Sequence, residues 1–282
     1  MIDRLPVGPP VDRHGLARHA LQALGAIVSR EALRFAQQKG RLLSALVRPV
    51  LWLVVFAAGF RDDFGRTVAA PYDAPLPYDV YVMPGLIGMV MLFNGMQGSL
   101  GMVYDREMGL MRLLLTAPLP RAWLLLSRLV ATAVLSLAQV LAFVAVAALF
   151  GTSLAVSPGN AFAALLAAGV SALMLGALGL LLSVSIRQLE NFAGTMNFVI
   201  FPMYFLSTAL YPLWKLEQSR ATWVVRVAQC NPFTHAVEWI RFALYGRDPG
   251  LAPWIVIGTL VVAFGLACWG YDPRRGAMAQ RG

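Results

Sequence analysis

Long uncharged stretches separated by short charged segments dominate this chain. Uncharged runs cover residues 80–104, 191–214 and 249–271. Each is long enough for one membrane-spanning helix, because a hydrocarbon core of about 30 Å needs about 20 mostly apolar residues. A fourth run, residues 129–186, is too long for one helix and contains a turn-forming Gly, Ser, Pro and Asn segment at 151–160. It therefore predicts two spans joined by a short hairpin connection.

A further span is predicted at residues 42–60, which are apolar except for Arg48 and Pro49. An arginine at mid-bilayer costs about 2.5–3.5 kcal/mol on insertion scales, but one near the end of a span can extend to the headgroups. We therefore expect Arg48 to snorkel toward the membrane surface. The prediction is an all-α membrane protein with six transmembrane helices, at residues 42–60, 81–103, 129–150, 161–185, 192–212 and 252–271.

An N-terminal amphipathic helix is predicted before the first span. Its apolar residues recur at helical spacing, at positions 17, 21, 24, 28, 32 and 35, while Arg18, Arg30 and Arg34 lie elsewhere on the helical wheel. This pattern is typical of a basic helix lying on the inner membrane surface. The alternative is a soluble helix, which we disfavour because so short a segment has little else against which to bury the stripe.

A second amphipathic helix is predicted before the last span, where Asn231 can serve as N-cap, Pro232 as first helical residue and Gly246 as terminator. Glu238 and Arg241 make a lipid-exposed span costly, so we expect a re-entrant helix in the outer leaflet, with both side chains reaching water or each other. Its apolar stripe should pack on the fifth and sixth spans. The stripe comprises Phe233, Val237, Ile240 and Leu244.

Composition agrees with a membrane protein, since 59% of the 282 residues are hydrophobic and 13% are charged, about half the usual fraction for a soluble domain. Most of the 23 Lys and Arg residues fall on one side of the predicted spans, which places both termini inside. The net charge of +9 therefore reflects basic residues on the cytoplasmic side of the membrane and does not indicate a nucleic-acid partner. The resulting division is a cytoplasmic N-terminal segment, 1–41, a membrane domain, 42–271, and a cytoplasmic tail, 272–282.

Several kinds of catalytic or metal site are excluded by missing motifs. A P-loop needs a lysine within G-x-x-x-x-G-K-[ST], but the two lysines, Lys39 and Lys215, have no such context. Metalloprotease and hydrolase motifs are also missing. Two cysteines and three histidines do not make a disulfide framework or a zinc cluster. We expect no catalytic, cofactor-binding or metal-binding residues in this chain.

Polar and small residues inside the spans predict helix packing. Asn94, Gln97, Gln139 and Asn197 are neutral, and interhelical hydrogen bonding is the favoured interpretation over a substrate path. Small residues recur along the fourth span and predict close approach of another helix, from this chain or another. They are Ala164, Ala168, Ala172, Gly176 and Gly179.

The segment after the second span has the features of a docking surface. It begins with the charged group Asp105, Arg106 and Glu107, continues with an apolar patch over 110–115, and ends at prolines. The alternative to a docking surface is a simple extension of the helix, with its charged side chains in water. An apolar patch outside the membrane, however, is typical of a surface that binds another protein.

Taken in order, these segments resemble the type-2 ATP-binding-cassette (ABC) exporter permease family from about residue 30 to residue 271. The resemblance lies in Val82-Met83-Pro84-Gly85, Asp105-Arg106-Glu107-x-Gly109, Leu114-x-Thr116-Ala117-Pro118-Leu119-Pro120-Arg121, the helix from Phe201-Pro202 to Tyr211-Pro212, and Asn231-Pro232-Phe233-Thr234. Each motif is weak alone, and the ordered set is specific.

The resemblance implies a non-catalytic subunit that docks on a separate ATPase, which binds ATP and Mg²⁺. The coupling helix of that family would here include Asp105, Arg106, Glu107, Gly109, Leu113, Leu114, Thr116, Pro118 and Arg121. It also implies two permease copies with a path between them, a bacterial inner membrane location, and export of a lipid-linked, saccharide or hydrophobic small-molecule substrate.

Two other classes remain as alternatives, a secondary carrier and a membrane-embedded enzyme without an ATPase partner. A carrier would show repeats with broken helices in matching positions, and an enzyme would show a constellation of reactive side chains at one depth. Neither pattern is visible in the sequence. A neighbouring reading frame for a P-loop ATPase would discriminate these classes from the ABC permease.

Overall fold

The structure, a computed structural model, describes residues 13–37, 40, 46–55, 78–108, 120–152, 156–186, 188–213 and 222–271. Within these ranges the chain is helical and has no strand. The helices are α1 (Arg13–Gln37), α2 (Leu46–Val55), α3 (Tyr78–Glu107), α4 (Arg121–Leu149), α5 (Pro158–Ser185), α6 (Leu189–Phe205), α7 (Thr222–Cys230), α8 (Pro232–Leu244) and α9 (Ala252–Gly270).

Four of these helices, α3, α4, α5 and α9, are long and apolar enough to cross a membrane. They correspond to the predicted second, third, fourth and sixth spans. At the predicted first and fifth spans, α2 has ten described residues and α6 has 17. The fold is therefore an all-α membrane fold with four candidate spans among the described residues.

The helices α3, α5 and α9 run in one direction along the bundle, and α4 and α6 run in the other. We name the two ends of the bundle the Asp79 end and the Asp105 end, after acidic residues near the start and the end of α3. At the Asp79 end, the Thr152 hydroxyl donates to Asp79 Oδ2 over 3.2 Å and joins the end of α4 to the start of α3. The Tyr78 hydroxyl donates to the carbonyl of Leu210, which follows α6 (2.9 Å). At the Asp105 end, the Tyr271 and Ser183 hydroxyls lie 2.8 Å apart and join α9 to α5.

The centre of the bundle is α3, which packs on α4, α5, α6 and α8. Its closest approach is to α5, where the small face predicted from sequence lies. A Cβ added at Gly95 would meet the backbone nitrogen of Gly176 at 2.9 Å, and one added at Gly179 would meet the Gly95 carbonyl oxygen at 2.7 Å. The neighbour that the small face requires is therefore a helix of the same chain.

The N-terminal helix α1 packs along α4. The indole Nε1 of Trp123 donates to the carbonyl of Ala20 over 2.9 Å, and Phe35 is buried, whereas Leu21 is 63% exposed. The expectation that α1 has little protein against which to pack is wrong, because α4 starts eight residues before the predicted third span and provides that surface. The basic residues Arg18 and Arg30 remain exposed.

Candidate functional site

At the Asp105 end, two interactions connect the last turn of α3 to its neighbours. Asp105 and Arg128 form an ion pair between α3 and α4, and both side chains are largely buried, at 16% and 14% exposed. The Arg106 guanidinium donates to the carbonyl of Ile186, the residue that ends α5. The adjacent residues Asp105 and Arg106 therefore bind two different helices, α4 and α5.

These contacts place the predicted docking residues in two groups. Glu107 and Met108, which follow Asp105 and Arg106 at the end of α3, are exposed, and Arg121 is exposed at the start of α4. Gly109, Leu113, Leu114, Thr116 and Pro118 lie outside the described residues. The segment 109–119 is thus bracketed by α3 and α4, whose ends are joined by the ion pair of Asp105 with Arg128.

These contacts join α3 to α4 through the ion pair and to the end of α5 through Arg106. Largely buried ion pairs resist separation, because removing one partner costs about 3–5 kcal/mol when the other charge stays buried. Asp105 and Arg106 were predicted as site residues from the sequence, whereas their partners Arg128 and Ile186 were not, since nothing in the local pattern relates them.

At the Asp79 end, α8 begins where the sequence predicts it. Asn231 Oδ1 accepts from the backbone nitrogen of Phe233 over 3.0 Å, and Pro232 is the first helical residue. Beyond the last turn, Gly246 has a positive φ of 64°, which favours glycine. The Asn231 side chain also donates to the carbonyls of Met203 and Leu206, each over 2.8 Å, and so connects α8 to the end of α6.

The predicted apolar stripe of α8 is buried, and its predicted packing on the sixth span, α9, is confirmed, whereas α5 takes the place expected for the fifth span. The helix packs mainly on α5 and α9 and reaches α3, where a Cβ at Gly88 would meet the Phe233 ring at 2.9 Å. Contact with α6, the predicted fifth span, is limited to the start of α8, at Asn231 and at Phe233, whose ring lies 6.0 Å from that of Tyr204. Phe233 contacts α3 about ten residues from its start, which corresponds to a depth of about 15 Å.

Arg241 of α8 is buried among protein groups, with only 2% of the residue exposed, and does not reach water. Its guanidinium pairs with Glu238 at 2.6 Å, donates to the Thr208 carbonyl at 2.9 Å and lies 4.4 Å from the ring centre of Tyr81. Glu238 is more exposed, at 23% of its side chain. The prediction was that Arg241 and Glu238 reach either water or each other. The structure shows that Arg241 pairs with Glu238, because α3 and the segment after α6 enclose the arginine.

A cleft of about 680 Å³ lies between α1, α3, α4 and α6 and extends to the Asp105 end. Its polar lining includes Asn94, Gln97, Tyr104, Asp105 and Arg128. Asn94 donates to the side-chain oxygen of Gln139, which confirms interhelical hydrogen bonding for these two residues. Asn197 is exposed. This cleft was not predictable from the sequence, because its walls come from four separate helices.

Within the described ranges, no group of three or more His, Cys, Asp or Glu side chains could hold a metal ion. The two cysteines are unpaired, with Cys230 exposed and Cys268 partly buried.

Comparisons with known proteins agree with this architecture. A model of the family described as ABC-2 type transporter matches residues 22–245. Three similar proteins carry the name "Putative transport permease ycf38". The protein from Porphyra purpurea is 28% identical over 81% of this chain and 76% of its own length. Those from Pyropia yezoensis (27%, covering 79% and 74%) and Cyanophora paradoxa (30%, covering 82% and 77%) are similar to the same degree.

Proposed function

Because this chain belongs to the ABC-2 type transporter family, we propose that it is the permease of an ATP-driven exporter whose ATP and Mg²⁺ are bound by a separate ATPase subunit. Family membership and the apolar helices identify a multi-pass membrane component of a transporter. In this proposal the chain itself catalyses no reaction. It binds the ATPase at one end of the bundle and rearranges when ATP is hydrolysed.

The ion pair between Asp105 and Arg128 is the observation that carries the coupling part of the proposal. It joins the two helices that bracket segment 109–119, and Arg106 adds α5 to the same unit. A coupling element formed by Asp105, Arg106, Glu107, Gly109, Leu113, Leu114, Thr116, Pro118 and Arg121 would then displace three helices together. A merely solvated extension of α3 would not require this connection.

The directions of the helices along the bundle support a proposed arrangement in the membrane. We propose six spans, with α2 and α6 as the first and fifth, both termini cytoplasmic and the Asp105 end inside. The hairpin of α7 and α8 would then enter the outer leaflet from the Asp79 end, in agreement with the contact of Phe233 at Gly88. The exposed apolar side chains of α9 would face lipid or a second copy.

We propose a homodimer of permeases in a bacterial inner membrane, with export of a lipid-linked, saccharide or hydrophobic substrate. The family resemblance supports the direction and the dimer. The relatives named above come from algae, so the bacterial location is supported by that resemblance alone. The alternatives, a secondary carrier and a membrane enzyme, gain no support from the described residues.

The test is to co-express the chain with each P-loop ATPase found in a neighbouring reading frame, purify any complex that forms and measure ATP hydrolysis. Asp105→Arg should leave Arg128 without its partner and reduce the ATPase activity of the assembled complex. The double variant Asp105→Arg/Arg128→Asp should restore the pair and much of the activity. As a matched control, Asp248→Asn removes an exposed carboxylate at the opposite end and should have no effect. Full activity of an assembled Asp105→Arg complex would contradict the coupling role, and failure of any such ATPase to associate would contradict the function itself.

A further inference from the structure

The first predicted span contains the one charged side chain that the sequence places inside the membrane, Arg48. The prediction was that Arg48 would snorkel to the surface. Instead, its guanidinium carbon lies 3.9 Å from the ring centre of Phe93, near the middle of α3. Among the described residues, no carboxylate and no hydrogen-bond acceptor pairs with Arg48. Arg48 is exposed on the surface of the chain. In the proposed six-span arrangement this surface lies at membrane depth, where charged groups are costly and usually paired, so Arg48 needs a partner from outside the chain.

Arg48 lines two spaces, one of which adjoins the large cleft. A pocket of about 30 Å³ lies between Arg48, Asn94, Gln97 and Gln139, and we name it the amide pocket. On its other side, Arg48 borders an apolar groove of about 470 Å³ formed by α2, with Val47, Leu51, Trp52 and Val55. The amide pocket also shares Asn94 and Gln97 with the large cleft described above. Arg48 therefore stands between an apolar groove and a polar cavity system.

The amide pocket has an unused donor. Gln139 is 2% exposed, and its side-chain oxygen accepts from Asn94, but its Nε2 has no hydrogen-bond partner in the described structure. A buried amide without a partner costs about 1–3 kcal/mol, so such groups are normally satisfied by water or a ligand. A volume of about 30 Å³ accommodates one water molecule or one small oxygen-bearing group. The missing partner is thus an acceptor, and Arg48 at the same pocket favours a negatively charged one.

The large cleft offers a route for a polar headgroup. From Asn94 to Asp105 it follows α3 for eleven residues, or about 16 Å, roughly half the hydrocarbon core. The two carboxylates that line the cleft form ion pairs, Asp105 with Arg128 and Glu31 with Arg30 at 3.1 Å. An anion moving along the cleft would therefore meet paired charges first and an unpaired cation at its inner end.

We propose that Arg48, Asn94, Gln97 and Gln139 bind the anionic headgroup of an amphiphile whose apolar chain lies in the groove of α2. The headgroup carries a phosphate or carboxylate, and its oxygens accept from the Arg48 guanidinium and Gln139 Nε2. This site lies within a single permease chain. The identification of the amphiphile as cargo rests on the proposed export function, whereas the binding itself does not.

The test uses the purified full-length chain in detergent, without any ATPase, so that its failure is distinct from failure of the export proposal. The probe is a fluorescent short-chain phosphatidylglycerol, compared with phosphatidylcholine bearing the same tail. Wild type should bind the anionic lipid more tightly. Arg48→Gln should weaken that binding by about tenfold or more, the loss expected for one charge-assisted hydrogen bond. Arg226→Gln, which removes an exposed arginine of α7, is the matched control and should bind as wild type does.

A second pair of variants does not depend on the folding of the Arg48 variant. Gln97→Trp fills the space shared by the cleft and the amide pocket and should abolish binding, while Asn197→Trp places the same side chain at an exposed amide of α6 and should not. Arg48→Lys, which keeps the charge, should retain most of the affinity. Equal affinity in wild type and a folded Arg48→Gln would overturn the proposal, as would undiminished binding by Gln97→Trp. Binding of inorganic phosphate as tight as that of the lipid would contradict a role for the groove and thus the amphiphile.

Discussion

The replacement of Arg241 by methionine tests whether α8 is held by protein contacts or rests at a water-exposed surface. Methionine approximates the length of the arginine stem but cannot donate. The variant loses the 2.6 Å pair with Glu238, the 2.9 Å bond to the Thr208 carbonyl and the contact with the Tyr81 ring. If α8 instead lay in a solvated loop, water would replace each of these partners at little cost.

The magnitude follows from burial. A hydrogen bond from a charged donor contributes about 1.5–3 kcal/mol, and a cation over an aromatic ring about 0.5–2 kcal/mol. Water can solvate Glu238, which is 23% exposed, so the ion pair with Arg241 contributes little to the free energy of unfolding. Relief of arginine desolvation offsets part of the rest. The net expectation is a loss of about 3 kcal/mol, which corresponds to a Tm lower by about 6–12 °C for a chain of this size.

The assay is thermal unfolding of the purified chain in detergent, followed by tryptophan fluorescence. The double variant Arg241→Met/Glu238→Met should recover only a small part of the loss, since water already solvates the Glu238 carboxylate and the contacts with Thr208 and Tyr81 stay lost. Arg226→Met, at an exposed position of α7, should shift the Tm by less than about 2 °C. A Tm for Arg241→Met within that same margin of wild type would refute the reasoning.

Three further outcomes are expected. Gly95→Val should force α3 away from α5 and prevent a stable fold, as judged by size-exclusion chromatography, while Gly258→Val, where an added Cβ meets nothing within 4 Å, should elute as wild type does. In a Cys230→Ser background, which removes the exposed native cysteine, a bulky thiol reagent added from outside should label Glu238→Cys but not Val237→Cys, since Val237 is 0% exposed, and equal labelling of both would contradict the packing of α8. Trp123→Phe removes the hydrogen bond to α1 and should increase proteolysis within α1, whereas unchanged proteolysis would show that this bond does not hold the helix.

Local sequence signals predicted α8 well. Its start depends on Asn231 and Pro232 and its end on Gly246, all of which act within a few residues. The environment of Arg241 was not predictable in the same way, because Tyr81 and Thr208 are far away in sequence. The capping residues therefore predict where α8 begins and ends, whereas tertiary contacts determine which of its side chains are buried.

The lengths of the long helices show a second limit. Charged residues were taken as the ends of spans, yet α3 includes Asp79 and Asp105, and α4 includes Arg121 and Arg128. A charge limits the part of a helix that faces lipid, but it does not end the helix when another chain segment binds it. Asp105 and Arg128 bind each other, which no pattern along a single helix reveals.

The small face of α5 was predicted, but its neighbour was not. Alanine and glycine at every fourth position show that a backbone can approach, whichever helix provides it. The structure assigns that role to α3 through Gly95, itself one of several glycines in a helix with no evident periodicity. The cleft beside α3 was missed for the same reason, since the sequence does not state which helices surround it.

The burial of α3 has a consequence for biosynthesis. Among the four candidate spans, α3 is the least apolar and the most buried, with polar residues such as Asn94 and Gln97 in its middle. During translation it leaves the ribosome before α4 and α5, the helices that later cover it. We expect the nascent α3 to remain beside the insertion machinery until α5 has been synthesised. Arrested chains ending after α3 should therefore crosslink to the translocon longer than chains ending after α5.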